Sequence, residues 1–270
     1  MNNITPKIHF AITIVVFIVI STFTTKLSAQ EPVVQWDQTI GTTSNDNLVQ
    51  VNLTSDGGFI LGGYTSGGIS GDKTEANMGG TDMWVVKLDA LGNIQWQNSI
   101  GTSSSDNLVD IVQTVDGGFL LGCTSSTGIS GDKTEAAIGL SDFWIIKLNA
   151  SGVIMWQNTI GGTGNDNLTD IEPVPSGGFL LSGYSSSGIS GDKTEANIGL
   201  YDYWIVKINP FGTIQWQHTI GGDNNDKLLQ TVKSNSGNYV LAGQSVAGLS
   251  GNKTEAQIGT EDYWLVEIDI

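Results

Sequence analysis

The 270-residue chain contains no arginine, and acidic side chains outnumber basic ones. Nine of its eleven lysines and all 27 acidic residues lie after residue 30, which gives residues 31–270 a net charge of −18. A surface of this sign repels nucleic-acid phosphates and anionic lipid headgroups. The composition therefore predicts a protein that binds neither nucleic acid nor a membrane surface, and it leaves divalent cations as natural small partners.

Cysteine and histidine are nearly absent. The single cysteine, Cys123, cannot form an intramolecular disulfide, and we expect a buried side chain rather than a catalytic thiol. His218 is the only histidine after residue 30, and the chain has no serine–histidine–acid set, zinc-ligand spacing or phosphate-binding loop. These absences favour a non-catalytic protein, with a metal-assisted hydrolase built on carboxylates as an alternative.

The first 30 residues have the form of a secretory signal. Lys7 precedes an apolar run over 10–23, and Leu27 to Gln30 offers small residues for cleavage. We predict export to the periplasm, the cell surface or the medium, with no membrane insertion after cleavage. An uncleaved signal that anchors the chain is the alternative.

The remainder of the chain is an internal repeat of 60 residues. The unit boundaries are 31–90, 91–150, 151–210 and 211–270. All eight tryptophans fall into two series with this step. The first series is Trp36, Trp96, Trp156 and Trp216; the second is Trp84, Trp144, Trp204 and Trp264. One supersecondary unit has therefore been repeated four times.

The second unit shows what is repeated. Its residues 93–100 alternate apolar and polar side chains, 108–113 and 119–124 flank an Asp-Gly-Gly turn, and 143–148 is almost wholly apolar. This pattern predicts four antiparallel strands in each unit. Stacked units of this kind describe an all-β fold, a β-propeller of four four-stranded blades.

The two ends of the repeat array predict a closed ring. The segment 33–40 is a tryptophan strand without a blade of its own, and the fourth unit lacks such a strand after 263–268. Pairing these segments would complete the last blade and leave no unpaired edge there. We expect closure within a monomer; closure between two chains as an eight-bladed ring is the alternative.

These residues resemble bacterial repeat families of secreted β-propellers. The shared pattern appears as Gly161-Gly162 with Asp166, as Asp56-Gly57-Gly58, and as the run from Asp82 to Asp89. The resemblance implies the fold and no activity. The run from Lys87 to Trp96 is also similar to the tryptophan-docking motif of quinoprotein propellers, whose eight blades and cysteine pair this chain lacks.

Aromatic side chains near the rim of the long loops are candidate ligand-binding residues. Since each long loop and the next Gly/Asp loop leave the sheet at the same end, we expect a loop-lined rim that binds a ligand. The candidates are Tyr64, Phe143, Tyr184, Tyr203 and Tyr263. The sequence thus predicts a binding or scaffold module for an unknown extracellular protein or glycan; a carbohydrate-binding propeller is an alternative.

Carboxylates at repeated positions are candidate ligands for Ca²⁺, a cation that prefers oxygen. Those on the rim are Asp82, Asp142, Asp202 and Asp262, and those expected to line the central channel are Asp110 and Asp170. A structural role competes for the long loop. Asp72 and Glu75 have capping-box spacing, which predicts a short helix over 73–78.

Overall fold

Each sheet is antiparallel, and its strands follow one another in chain order; the fourth strand of each of the first three sheets comes from the next repeat unit. The computed structural model describes residues 32–270. The first three sheets have four strands each and the fourth has three. Sheet 1 contains β1 (Asp46–Leu53), β2 (Phe59–Thr65), β3 (Asp82–Leu88) and β4 (Ile94–Ile100). Sheet 2 contains β5 (Leu108–Gln113), β6 (Phe119–Ser125), β7 (Asp142–Leu148) and β8 (Ile154–Ile160).

The same order continues in the second half of the chain. Sheet 3 contains β9 (Asp166–Pro173), β10 (Phe179–Ser185), β11 (Asp202–Ile208) and β12 (Ile214–Ile220). Sheet 4 contains β13 (Asp226–Lys233), β14 (Tyr239–Ser245) and β15 (Asp262–Ile268). The all-β, repeated-sheet architecture predicted from the sequence is therefore confirmed. None of the described residues forms a helix long and apolar enough to cross a membrane.

Successive sheets pack face to face, and the core lies between them. We call the side of a sheet that meets the next sheet its forward face, and the opposite side its rear face. Between sheets 1 and 2, the forward residues Ile60, Met83 and Val85 form one buried cluster with rear residues that include Ile111 and Trp144. Equivalent clusters join sheet 2 to sheet 3 and sheet 3 to sheet 4. The first strand of each sheet contacts the first strand of the next, as expected for innermost propeller strands.

Small residues allow this close packing. A Cβ atom on Gly62 would lie 2.4 Å from the Leu108 side chain and 2.8 Å from that of Ile111. Real Cβ contacts are longer, so the missing side chain at Gly62 lets the first strand of sheet 2 approach sheet 1 this closely. Small residues recur at this position, as Gly62, Gly122, Ser182 and Ala242, and are therefore a packing feature.

The predicted closing strand is not present in the structure. Residues 33–40 form no strand, and β15 pairs with β14 alone, so sheet 4 has three strands. Within residues 36–270, the strands of sheet 4 make no contact with those of sheet 1. Ile40 instead packs on the rear face of sheet 1, against Trp84 and Val86. The predicted signal segment, 1–30, lies outside the described residues.

Candidate functional site

The molecule offers two different rims. Because strand direction alternates, the loops 66–81 and 101–107 leave sheet 1 at one end, together with their counterparts in the other units; we call this end the loop rim. The tight turns 54–58 and 89–93, with their counterparts, lie at the opposite end, which we call the turn rim. The sequence directed attention to the loop rim alone.

The acidic side chains of the long loop bind backbone N–H groups. In the second unit, Oδ2 of Asp132 accepts a hydrogen bond from the Gly101 N–H at 3.1 Å. Oε2 of Glu135 accepts one from the Thr159 N–H at 2.5 Å. The first bond ties the loop to the segment that follows β4 of sheet 1, and the second holds it against β8 of its own sheet. Charge-assisted bonds of this type are among the stronger ones in proteins.

The prediction of a short helix over 73–78 is wrong, because the Asp72 carboxylate accepts a hydrogen bond from a distant segment instead of capping a helix. The segment is irregular apart from an isolated bridge between Ser70 and Lys73, and Oδ2 of Asp72 accepts from the distant Gly41 N–H at 3.0 Å. A helix cap would require a bond to an N–H two or three residues ahead. Asn252, which replaces the aspartate in the fourth unit, preserves the long-range bond: its Oδ1 accepts from the Gly221 N–H at 3.1 Å.

The rim aspartates proposed as metal ligands begin the third strand of each sheet. Oδ2 of Asp82, Asp142 and Asp202 accepts from the N–H of the residue four positions earlier, at 2.5, 2.7 and 2.6 Å. Asp262 makes the same bond at 2.7 Å, at an exposed position. Burial raises the pKa of Asp82, Asp142 and Asp202.

These aspartates are not brought together with other ligands. Among residues 32–270, no three His, Cys, Asp or Glu side chains are grouped closely enough to hold a metal ion. The Oδ1 atoms of Asp82 and Asp142 are buried without a hydrogen-bond partner and lie against Gly101 and Gly161. The arrangement fixes loop conformation and offers no formed cation cage.

The two channel aspartates connect neighbouring innermost strands. Oδ2 of Asp110 accepts from the Ile171 N–H at 3.0 Å, and Oδ2 of Asp170 accepts from the Thr231 N–H at 2.7 Å. Burial is the main cause that raises the pKa of Asp170 to about 7, and the charges of Asp110 and Glu172 add to it. These carboxylates therefore join sheet 2 to sheet 3 and sheet 3 to sheet 4.

Two of the candidate aromatic residues are fully buried between sheets. Phe143 packs on Trp204 with ring centroids 5.0 Å apart, and Tyr203 packs on Trp264 at the same separation. The Tyr203 hydroxyl donates to the carbonyl of Trp264 at 3.0 Å. Both side chains contribute to packing and leave no face open to a ligand.

The other three candidates retain accessible surface. Tyr263 is 88% exposed on the forward face of sheet 4, and Tyr64 lines a groove on the rear face of sheet 1. Tyr184 is half-buried and meets Tyr201 edge to face at 5.5 Å. The Lys227 ammonium lies 5.5 Å and 5.4 Å from the two tyrosine ring centroids. Tyr184, Tyr201 and Lys227 form a compact aromatic–cation cluster on the loop rim.

The turn rim contains an apolar groove that the sequence analysis missed. It has a volume of about 600 Å³ and lies between sheets 2 and 3. The groove is lined by Val115, Met155, Trp156, Pro173, Pro175 and Phe211, among others. Phe211 is 80% exposed and Met155 is 60% exposed. Apolar groups this exposed on a rigid scaffold are typical of an interaction surface.

The groove lies where the sequence departs from its own repeat. Met155 stands where the neighbouring units have Gln95 and Gln215, and Phe211 stands where the third unit has Ser151 and the second has Leu91. In the other units, the glutamine accepts a hydrogen bond from the buried lysine of the third strand, at 3.1 Å and 2.9 Å. Comparing each unit with the others for polar-to-apolar replacement would have located this groove from sequence.

Comparison of the chain with models of known protein families gives no match, and comparison with curated proteins gives no significant match.

Proposed function

We propose that this chain is an exported, non-catalytic β-propeller that acts as a binding module through the groove on its turn rim. One observation carries the proposal: Val115, Met155 and Phe211, which replace polar residues found in other units, meet in one groove. Packing does not require Met155 or Phe211, since other units fold with glutamine at the first position and with leucine or serine at the second. Exposed apolar side chains gathered in this way are better explained by a partner than by the fold.

The lining of the groove defines the kind of ligand. Apolar side chains predominate, and the one ion pair, Lys147 with Asp116 at 3.0 Å, stands beside them. Such a site fits an extended peptide segment that inserts apolar side chains and places polar backbone near the ion pair. Sugars require more hydrogen-bonding groups than this groove provides. We therefore propose a peptide segment of another exported protein as the ligand.

A peptide array probed with the purified chain tests this proposal. The matched variant is Met155→Gln with Phe211→Ser, which installs residues that other units already carry and should preserve the fold. We expect the wild type to retain peptides with apolar residues, and the variant to lose at least about tenfold in affinity, because two anchoring contacts of about 1 kcal/mol or more are removed. Equal binding by both proteins would refute the groove as the site.

The tyrosine cluster on the loop rim supports carbohydrate binding as a second candidate function. Tyr184 and Tyr201 are half-buried with the Lys227 ammonium over their rings, and the Asn165 side-chain amide donates to the Tyr201 hydroxyl at 3.4 Å. Partly exposed aromatic rings with adjacent polar groups suit the mixed apolar and polar faces of a sugar. A glycan array comparing wild type with Tyr201→Ser, the residue found at position 141, tests it. Hits that disappear in the variant would support glycan binding, and no hits would remove it.

A metal-assisted hydrolase at the acidic rim is the remaining alternative, and Ca²⁺ is its natural metal. Activity on ester, phosphate or glycoside substrates that is lost in Asp82→Ala and Asp142→Ala would support it, whereas inactive wild type would count against it. A calcium-dependent rise in melting temperature would identify a bound ion. The carboxylate bonds described above provide a structural reason for these residues without a metal.

Ring closure belongs to the same proposal. A propeller is rigid when every blade is flanked on both faces, and the rim loops then keep fixed positions around the axis. The structure leaves the outer edge of β15 unpaired, and the segment 33–40 has the sequence of the missing strand. We propose that this segment completes a fourth blade.

A further inference from the structure

The two end faces of the sheet row are exposed although they carry the residues of a blade interface. On the rear face of sheet 1, Leu48 is 62% exposed and Val51 is 56% exposed, whereas their counterparts Leu108 and Ile111 are 3% and 0% exposed. On the forward face of sheet 4, Tyr263 is 88% exposed, whereas Tyr203 at the same position in sheet 3 is fully buried. Each face is therefore half of an interface that the fold builds three times elsewhere.

The rear face of sheet 1 forms a groove of about 400 Å³ with the required shape. Its floor contains Gly63 and Trp84. In the interface between sheets 3 and 4, the equivalent Gly243 and Trp264 receive Tyr203. The Tyr203 hydroxyl lies 2.6 Å from where a Cβ on Gly243 would stand. The groove is thus shaped to receive a tyrosine from a forward face.

Trp36 and Ile40 already occupy part of the interface that is incomplete on the rear face of sheet 1. Trp36 packs on Phe59 at 6.0 Å and 60°, much as Trp96 packs on Phe119 at 5.7 Å and 62°. Ile40 joins the rear-face cluster of sheet 1, as Ile100 joins that of sheet 2. Trp36 and Ile40 therefore stand where the outermost strand of a blade preceding sheet 1 would lie. The other three strands of that blade are missing. Sheet 4 is the sheet that has those three strands and lacks the outermost one.

The row of sheets is too open for sheet 4 to reach sheet 1 of the same chain. The three interfaces repeat one packing arrangement, so each turns the chain by a similar angle. If that angle were a quarter turn, sheet 4 would stand against sheet 1, yet within residues 36–270 their strands make no contact. The step is therefore smaller than a quarter turn. Propellers have about four to eight blades, and copies with four sheets each can build only rings of four or eight.

We propose that two copies of this chain close an eight-bladed ring, with Tyr263 of each copy seated over Gly63 and Trp84 of the other. The segment 33–40 of one copy then lies beside β15 of its partner as the outermost strand. Two identical head-to-tail interfaces related by a twofold axis complete the assembly. The proposal does not depend on the identity of the ligand.

Mass measurement by light scattering on the full chain is the first test. We expect a dimer, and a shift to monomer in Tyr263→Asp and in Leu48→Asp. Each variant places a charge in the interface, one on the forward face of sheet 4 and the other on the rear face of sheet 1. Both side chains are exposed, at 88% and 62%, so each variant should keep the wild-type circular dichroism spectrum. Leu249→Asp is the matched control, because Leu249 is 66% exposed but lies in a loop outside both end faces.

Cross-linking separates closure between chains from closure within one. Leu48→Cys and Tyr263→Cys are made in separate chains, mixed, and treated with a short bismaleimide; buried Cys123 serves as an internal unreactive thiol. A product of doubled mass that requires both variants supports the proposal. A cross-link formed only when both cysteines are in one chain, without doubled mass, would overturn it in favour of a four-bladed ring. A monomer with no cross-link in either format would also overturn it.

Discussion

Replacing Gly183 by alanine tests whether the second strand of each sheet must be glycine at this position. A Cβ atom there would lie 2.0 Å from the backbone carbonyl oxygen of Asn167 and 2.9 Å from the Phe143 ring. An ordinary contact begins near 3.4 Å. The neighbouring strand must therefore move by more than 1 Å or leave the sheet. Because the obstacle is backbone, a change of side-chain rotamer cannot relieve it.

Sheet 2 shows the result of such a replacement, since Cys123 stands at the equivalent position. Strands β1, β9 and β13 begin at Asp46, Asp166 and Asp226, but β5 begins at Leu108. The two residue pairs that precede this point in the other sheets are absent from sheet 2. The sulfur-bearing side chain is accommodated because the first strand separates from the second at its end.

The expected cost of Gly183→Ala follows from these observations. Overpacking of a core costs about 1–3 kcal/mol, and the loss of two ladder pairs adds about 1 kcal/mol each where the strand cannot adjust. We expect the free energy of unfolding to fall by about 3–5 kcal/mol. For a fold of this size, the melting temperature should fall by about 6–20 °C. Thermal and urea unfolding followed by tryptophan fluorescence and circular dichroism measure both quantities.

Gly188→Ala is the matched control, because a Cβ atom there would meet nothing within 4 Å. We expect its stability to lie within about 0.5 kcal/mol of wild type. If Gly183→Ala were as stable as Gly188→Ala, steric approach of the first strand would not explain the repeated glycine, and the account of the shortened β5 would fail with it.

Three further predictions concern titratable side chains. The folded-state pKa of Asp170 is raised from 3.8 to about 7, so the folded chain binds more protons and its stability should fall as pH rises from about 4 to about 7. In Asp170→Asn, the new side chain can still accept a hydrogen bond from the Thr231 N–H. The variant should remove on the order of 2 kcal/mol of the pH dependence of stability, measured by urea titrations at pH 5 and 8. An unchanged pH profile would show that this dependence does not come from Asp170. Cys123 is buried with a raised pKa, so it should react with a thiol reagent only after unfolding, and rapid labelling of native protein would show an accessible thiol. Glu135→Ala leaves the Thr159 N–H without its partner and should lower the free energy of unfolding by about 1–3 kcal/mol in thermal unfolding. Glu135→Gln should retain most of that stability, because the amide oxygen can accept the same hydrogen bond. An equal loss of stability in both variants would show that the charge, and not the hydrogen bond, stabilises the loop.

The periodic features of the fold could be read from the sequence because they depend on local patterns. Alternation of apolar residues, the Asp-Gly-Gly turns and the 60-residue step define strands, hairpins and units without reference to distant contacts. The strands predicted for the second unit follow from these signals, whereas the segment 33–40, which carries the same alternation, forms no strand. The prediction of a helix over 73–78 failed for the same reason, since capping-box spacing is a local signal. Long-range acceptors, such as the Gly41 N–H for Asp72, compete for the same carboxylates.

The sequence alone determined that four copies of one antiparallel unit would form, because each unit has its own turns and its own buried strand. Tertiary structure alone decided which side chains are accessible, since burial depends on the neighbouring sheet. Phe143 and Tyr203 became core residues, whereas Tyr263, in the same repeat position, became exposed on an end face. The groove around Phe211 likewise exists only because residues from two sheets, distant in sequence, meet at one rim. A repeated sequence fixes what each unit is, and the packing of one sheet on the next decides which surface remains exposed.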